Sequence, residues 1–341
     1  MGILGLIAPA LQAIPTTDLY FLNACRPYVR KLPFGFGHAP IERAGANSFI
    51  CGRNAVVCRR DAPAVVDAIL RDPDLRLSYV IDDDLAVAER DSSLPPDYRD
   101  RLKALRDGQH KALVERAETI VVCSEHLART YDAMGKATQV LDPFWAEPLA
   151  GAEHFARIEA GGPIDVAYLG SVTHGADRAF IFDVMARLLA RDPRVRMTLI
   201  SSKPVGNALD THPRVRRLRP QPWWLYRQSL KRRRYHLALY PMLDVPFNQG
   251  RSLNKLIEHA VLGAPGIFSA DWDYAHHVAD GITGMLAENT VDAWVAATEK
   301  ALGDVHSLHR MQLAARAYAQ TLNDPRAQRR FWSDRLEFEA G

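Results

Sequence analysis

From Ile164 to Ala287 the chain alternates short apolar runs with helix-length amphipathic segments. That alternation constrains the fold more than any other feature. Strands are expected at Ile164–Leu169, Arg196–Ile200, Val215–Leu218, His236–Tyr240, Gly266–Ser269 and about 284–287. Helices are expected at Arg178–Leu189, about 222–233 and Ser252–Leu262, and further helices from about 291 to 340. Strand and helix in turn imply a right-handed, parallel, doubly wound sheet. In such sheets ligands bind at the carboxyl ends of the strands.

The first half repeats the theme less regularly. Its candidate strands are Leu19–Leu22, Ser48–Cys51, Ala55–Cys58, Leu77–Ile81 and Thr119–Val122. Ala62–Arg71 and Tyr98–Ala117 have helical periodicity. Asp142-Pro143, Glu147-Pro148 and Gly161-Gly162-Pro163 punctuate the middle of the chain. The expected organisation is a Rossmann-like domain over 1–150, a second over 160–315 and a terminal helical segment over 316–341, with a cleft between the two α/β domains. A length of 341 residues suits two cores.

Composition narrows the class. Apolar residues make up 48% and charged residues 24%, and 43 basic residues against 40 acidic ones leave +3. Disordered, collagen-like and multi-span membrane chains are excluded. The four cysteines, Cys25, Cys51, Cys58 and Cys123, contain no C-x-x-C pair. They read as reduced thiols of a cytoplasmic protein. The apolar stretch Met1–Ile14 lacks a basic start and is short for a membrane span. Buried structure and membrane-surface attachment both remain open for it.

The most informative segment runs from Phe247 through Gly250, Arg251, Ser252, Leu253, Asn254, Lys255 and Glu258 to Gly266. A polar loop enters a helix there. First-turn amides of a helix are free and carry partial positive charge, so they suit a phosphate. Arg251 and Lys255 add full charges. Glu258 shares a face with Asn254 and Lys255 and is placed to accept two ribose hydroxyls. An amphipathic helix with solvated charges is the plainer alternative.

This segment resembles the nucleotide-sugar loop of GT-B glycosyltransferases, especially retaining enzymes of the family 4 type. That family carries Glu, seven residues and a second Glu. Glu258 matches the second, whereas Gly250 stands where the first contacts the donor sugar. Asp244 is a candidate substitute, or simply a loop carboxylate. The resemblance implies donor-binding roles for the amides of Ser252, Leu253 and Asn254, for Arg251, Lys255 and Glu258, and for Gly170 and Ser171 after the first strand of the second half. His174 and Arg178 lie where the family has basic phosphate ligands. Tyr235–Pro241 looks like the strand before the loop. Pro220–Trp224 resembles the stretch that contacts the base, with core packing as the alternative for Trp223 and Trp224. The likeness covers about 160–300 well and the first half weakly.

Asp82-Asp83-Asp84 closes an apolar strand in the first half. Three roles compete. Carboxylates facing the cleft would bind or deprotonate an acceptor hydroxyl. Asp in a first turn would cap a helix. An Asp-x-Asp resembling the GT-A motif would hold Mg²⁺ or Mn²⁺. The cleft-facing role is preferred, with Asp83, Asp84 and His38 as candidate catalytic residues and no metal. Ser124 and His126 follow another strand, where N-capping is the simpler role for Ser124. The loop around Gly35 and Gly37 lacks the flanking strand and helix of a dinucleotide fingerprint.

The stretch Arg214–Arg234 is basic. A solvated helix face, an anionic lipid surface and nucleic acid are its three readings, in that order. The expectation is a glycosyltransferase that takes a nucleotide sugar as substrate and needs no cofactor. Its acceptor is a glycan or lipid-linked, with peripheral contact at the inner face of the membrane and no nucleic-acid partner. A metal-dependent transferase built on Asp82–Asp84 and a non-catalytic nucleotide- or glycan-binding module are the rivals.

Overall fold

The computed structural model describes residues 13–30, 39–92, 94–170, 175–201 and 208–339. It contains two six-stranded sheets. The first is built from β1 (Glu42–Arg43), β2 (Ser48–Cys51), β3 (Asn54–Cys58), β4 (Arg76–Ile81), β5 (Thr119–Val122) and β6 (Thr138–Val140), in that spatial order. β1, β2 and β3 pair antiparallel, and β3 to β6 pair parallel. β3 and β5 are buried along their whole length, as strands covered on both faces must be.

The second sheet comprises β7 (Ile164–Tyr168), β8 (Val195–Ile200), β9 (Val215–Leu218), β10 (Leu237–Tyr240), β11 (Gly266–Ser269) and β12 (Gly284–Ala287). Every pairing is parallel. Its order, β12-β11-β10-β7-β8-β9, is the doubly wound order of a Rossmann sheet. Chain direction across the sheet reverses between β7 and β10. The crevice beyond the carboxyl ends of those two strands is therefore the natural ligand site.

The first half departs from expectation at Leu19–Leu22, which is helical within a helical stretch over 15–28. All four residues are buried. An apolar run buried on every side has no periodicity to separate strand from helix, and Pro15 starts the stretch at a position that tolerates proline. The expected helix Tyr98–Ala117 is split into Pro96–Leu105, Arg106–His110 and Lys111–Arg116, with non-helical backbone at Gly108.

The last helix, Pro325–Leu336, lies against the first half. Trp332 is fully buried, its indole donates to the Tyr20 carbonyl at 2.7 Å, and its ring meets Phe21 edge-on. Gln328 donates to the carbonyls of Leu19 and Asp142 at 2.7 and 2.6 Å. Trp332→Phe strands the Tyr20 carbonyl and empties part of the site. A loss of about 1–3 kcal/mol is expected in urea unfolding. A loss under about 0.5 kcal/mol would show that this seam contributes little.

Candidate functional site

The strand ends decide where the chemistry lies. β3, β4 and β5 run parallel, so their carboxyl ends share one edge of the first sheet. Arg59 and Arg60 follow β3, Asp82 and Asp83 follow β4, and Cys123 and Ser124 follow β5. Opposite them are Leu169 and Gly170 after β7, Pro241 after β10, and the loop that enters helix Asn254–Leu262. Of these, Arg59, Arg60, Asp82 and Asp83 on one wall and Leu169, Gly170, Pro241 and the helix-entry loop on the other line a cleft of about 620 Å³.

Charge pairs cross it. Asp83 is 6% exposed and binds Arg59 with one oxygen and Arg251 with the other, the latter at 2.8 Å. Asp82 accepts from Arg59 at 3.3 Å and from the Thr16 hydroxyl at 2.9 Å. Burial, then the Asp83 charge, push the Asp82 carboxyl above its ordinary value. Burial works against the charged guanidinium of Arg251, but Asp83 leads the groups that outweigh it, and its pKa is raised. The same balance, with Asp83 and then Asp82 as partners, raises Arg59. The Arg251 guanidinium also lies 4.2 Å from the Phe247 ring centroid.

The rest of the loop is also tied across the cleft. The Ser252 hydroxyl is 3.0 Å from the Tyr20 hydroxyl. The Asn254 side chain accepts from the Trp145 indole at 2.6 Å. The Asn254 amide donates to Ser252 Oγ at 3.3 Å, so that amide is already engaged. Leu253 is buried and offers a ligand only its backbone. Glu258 is 3% exposed and takes one bond from Lys255 and one from the Tyr226 hydroxyl. A carboxylate has about four acceptor positions, so each of its oxygens keeps one. The helix ends at Gly263, whose φ of +75° suits glycine.

Arg251, Ser252, Asn254, Lys255, Glu258, Gly170 and Asp83 thus line one cavity. Asp84 does not share it. Its side chain accepts the Val87 amide at 3.0 Å, which makes it the N-cap of helix Leu85–Arg90, and its other oxygen lies 3.8 Å from His126 Nε2. The capping alternative holds for Asp84, while Asp82 takes its place on the cleft wall. Ser124 caps helix Glu125–Asp132 and also donates to the Gly250 carbonyl at 3.1 Å. Asp244 is exposed on its loop. His38, Ser171 and His174 lie outside the described residues.

Gly250 is buried against the first half. A Cβ there would make ordinary contact with Leu127 at 3.5 Å and Asp84 at 3.9 Å. The basic stretch is partly consumed by structure. Arg227 binds Asp18 at 2.6 Å and Glu147 at 2.7 Å, and the Trp223 indole donates to Asp18 at 2.7 Å. Arg214 donates to the carbonyls of Asp192 and Val195. Trp224, Leu225, Lys231 and Arg232 stay exposed. Among the described residues no helix is long and apolar enough to cross a membrane.

No protein-family model and no curated sequence matches the chain. Solved structures do. Anabaena Alr3699/HepE in complex with UDP-glucose superposes with a TM-score of 0.58 at 13% identity, over 83% of this chain and 78% of that one. TarM of S. aureus gives 0.57 at 11% identity, over 82% and 54%. Sucrose-phosphate synthase (tll1590) from Thermosynechococcus elongatus gives 0.52 at 15% identity, over 80% and 69%.

The chain has the GT-B fold. In GT-B terms, the wall carrying Arg251, Lys255 and Glu258 belongs to the second sheet and the wall carrying Asp82 and Asp83 to the first. Arg59 and Tyr98 on that first wall were not anticipated. Arg59 directly follows the apolar run Ala55–Cys58, so the strand-end argument applied to Asp82–Asp84 also reaches it. Tyr98 sits on a polar helix and carries no such signal.

Proposed function

We propose that this chain is a glycosyltransferase that moves a sugar from a nucleoside diphosphate sugar to an acceptor hydroxyl. One observation carries the reading. Arg251, Lys255 and Glu258 meet at the switch-point crevice of a GT-B fold, where a diphosphate and a ribose need two cations and a carboxylate. The HepE structure with UDP-glucose supports a nucleotide-sugar donor.

In this scheme Arg251, held in place by Asp83, and Lys255 face the leaving diphosphate. Pre-positioned cations stabilise developing charge with little reorganisation of solvent. Glu258 accepts ribose hydroxyls with the positions that Lys255 and Tyr226 leave open. Gly170 lets the backbone approach the diphosphate from the other side. Asp82, with its raised pKa, faces the acceptor. Retention at the anomeric carbon and a role in surface glycan synthesis rest on the family 4 resemblance. Attachment to the inner membrane face rests on the exposed Trp224, Leu225, Lys231 and Arg232.

Calorimetry with UDP, ADP and GDP, followed by a transfer assay with the matching nucleotide sugars, tests the reading. One base is expected to bind and its sugar to turn over. Binding without turnover would favour a non-catalytic module, for which Gly250 in place of the first Glu of the resembled family is the motive. No binding at millimolar nucleotide would sink the proposal.

A further inference from the structure

The cations of the cleft do not all have internal partners. Arg59 is matched by Asp82 and Asp83, Arg251 by Asp83, and Lys255 by Glu258. Two cleft-lining arginines of the first half remain, Arg60 and Arg101. Among the described residues no carboxylate pairs with Arg60. Arg101 has only Asp97, at 3.6 Å, with both side chains more than 70% exposed. A pair so exposed contributes little.

The main chain at Arg60 is set by its neighbours. Arg59 turns the chain with φ +62° at the end of β3, and the Arg60 amide donates to the Cys58 carbonyl at 2.7 Å. Arg101 lies one turn beyond Tyr98, its guanidinium 5.6 Å from that ring centroid. Arg60 is an exposed residue of the cleft lining; the desolvation it does meet, then the charges of Arg59 and Arg101, push its guanidinium below its ordinary value. Like charges gathered on one wall repel, and an anion between them relieves the repulsion. These arginines belong to the half opposite Lys255 and Arg251, so the donor diphosphate does not account for them.

We propose that the acceptor bears an oxyanion, a phosphate monoester or a carboxylate, and that Arg60 and Arg101 receive it. The inference rests on the glycosyl-transfer reading and specifies its acceptor. A guanidinium presents paired donors matched to either group. Specificity follows, because a neutral acceptor offers neither guanidinium a charge to pair with.

The test uses the full chain saturated with the nucleotide it binds. Glucose 6-phosphate, glucuronate and glucose are titrated by calorimetry at one ionic strength. At least one anionic sugar is expected to bind about tenfold or more tighter than glucose. Which of the two wins identifies phosphate or carboxylate. The double variant Arg60→Gln, Arg101→Gln is expected to bring that sugar down to the affinity of glucose, with unchanged melting temperature and nucleotide affinity. Equal binding of all three sugars, or an unaltered preference in the double variant, overturns the proposal. Anion preference in a chain that binds no nucleotide would instead overturn the donor assignment and leave the arginine site standing.

Discussion

Arg251→Ala is expected to lower kcat/KM for the nucleotide-sugar donor by about 10²–10³-fold. The guanidinium is held between Asp83 at 2.8 Å and the Phe247 ring at 4.2 Å, so it is pre-positioned rather than recruited. Removing a fixed cation from a leaving diphosphate costs the transition state more than the bound ground state, because charge builds on the phosphate as the glycosidic bond breaks. kcat should therefore fall more than KM rises. The fold should tolerate the change, since Asp83 keeps Arg59. Arg251→Lys is expected to recover only part of the loss, because an ammonium lacks the fork that spans two oxygens. Steady-state kinetics with the donor found by the nucleotide panel, beside a melting curve, read the result. A change below threefold in kcat/KM would remove Arg251 from the donor site.

The second sheet was legible because its strands are apolar runs bounded by turn residues. Val215–Leu218 and Gly266–Ser269 form strands over those residues. β6, Thr138–Val140, carries no such signal, being a short edge strand with no fully buried residue. Leu19–Leu22 misled because burial on all sides erases periodicity. In the cleft, residues near one another in sequence were legible as a group, as in Arg251 to Glu258. The pairs that bind the two halves were not. Asp83 and Arg251 are 168 positions apart, and Tyr20 and Ser252 are 232 apart. Nothing local in either segment encodes its partner. For the same reason the sequence singles out Asp83 and Asp84 of three adjacent aspartates, whereas Asp82 and Asp83 face the cleft and Asp84 turns back to its own helix.

Arg59→Ala is expected to destabilise the fold by about 3–5 kcal/mol near neutral pH. Among the described residues Arg59 is the cation that pairs with both Asp82 and Asp83, and its side chain is only 17% exposed. Without it Asp82 loses its ion pair and keeps the Thr16 hydroxyl, while Asp83 keeps Arg251 across the cleft. The penalty should depend on pH, with a definite sign. The Asp82 carboxyl is already raised above its ordinary value by burial and by Asp83, and losing Arg59 raises it further. A native state with a raised carboxyl pKa binds more protons than the unfolded chain. Its stability is then greatest below the ordinary carboxylate range and is lost as pH rises through the native value. Urea unfolding at pH 4.5 should accordingly show a smaller difference from wild type than at about pH 7.5. Arg59→Gly separates the charge from the backbone. φ at this position is +62°, so glycine removes the same cation yet releases about 1 kcal/mol of left-handed strain. The glycine variant should therefore be the more stable of the two. Equal stabilities, or a penalty that grows as pH falls, would mean that the carboxylate pair does not depend on Arg59 in the way its geometry implies.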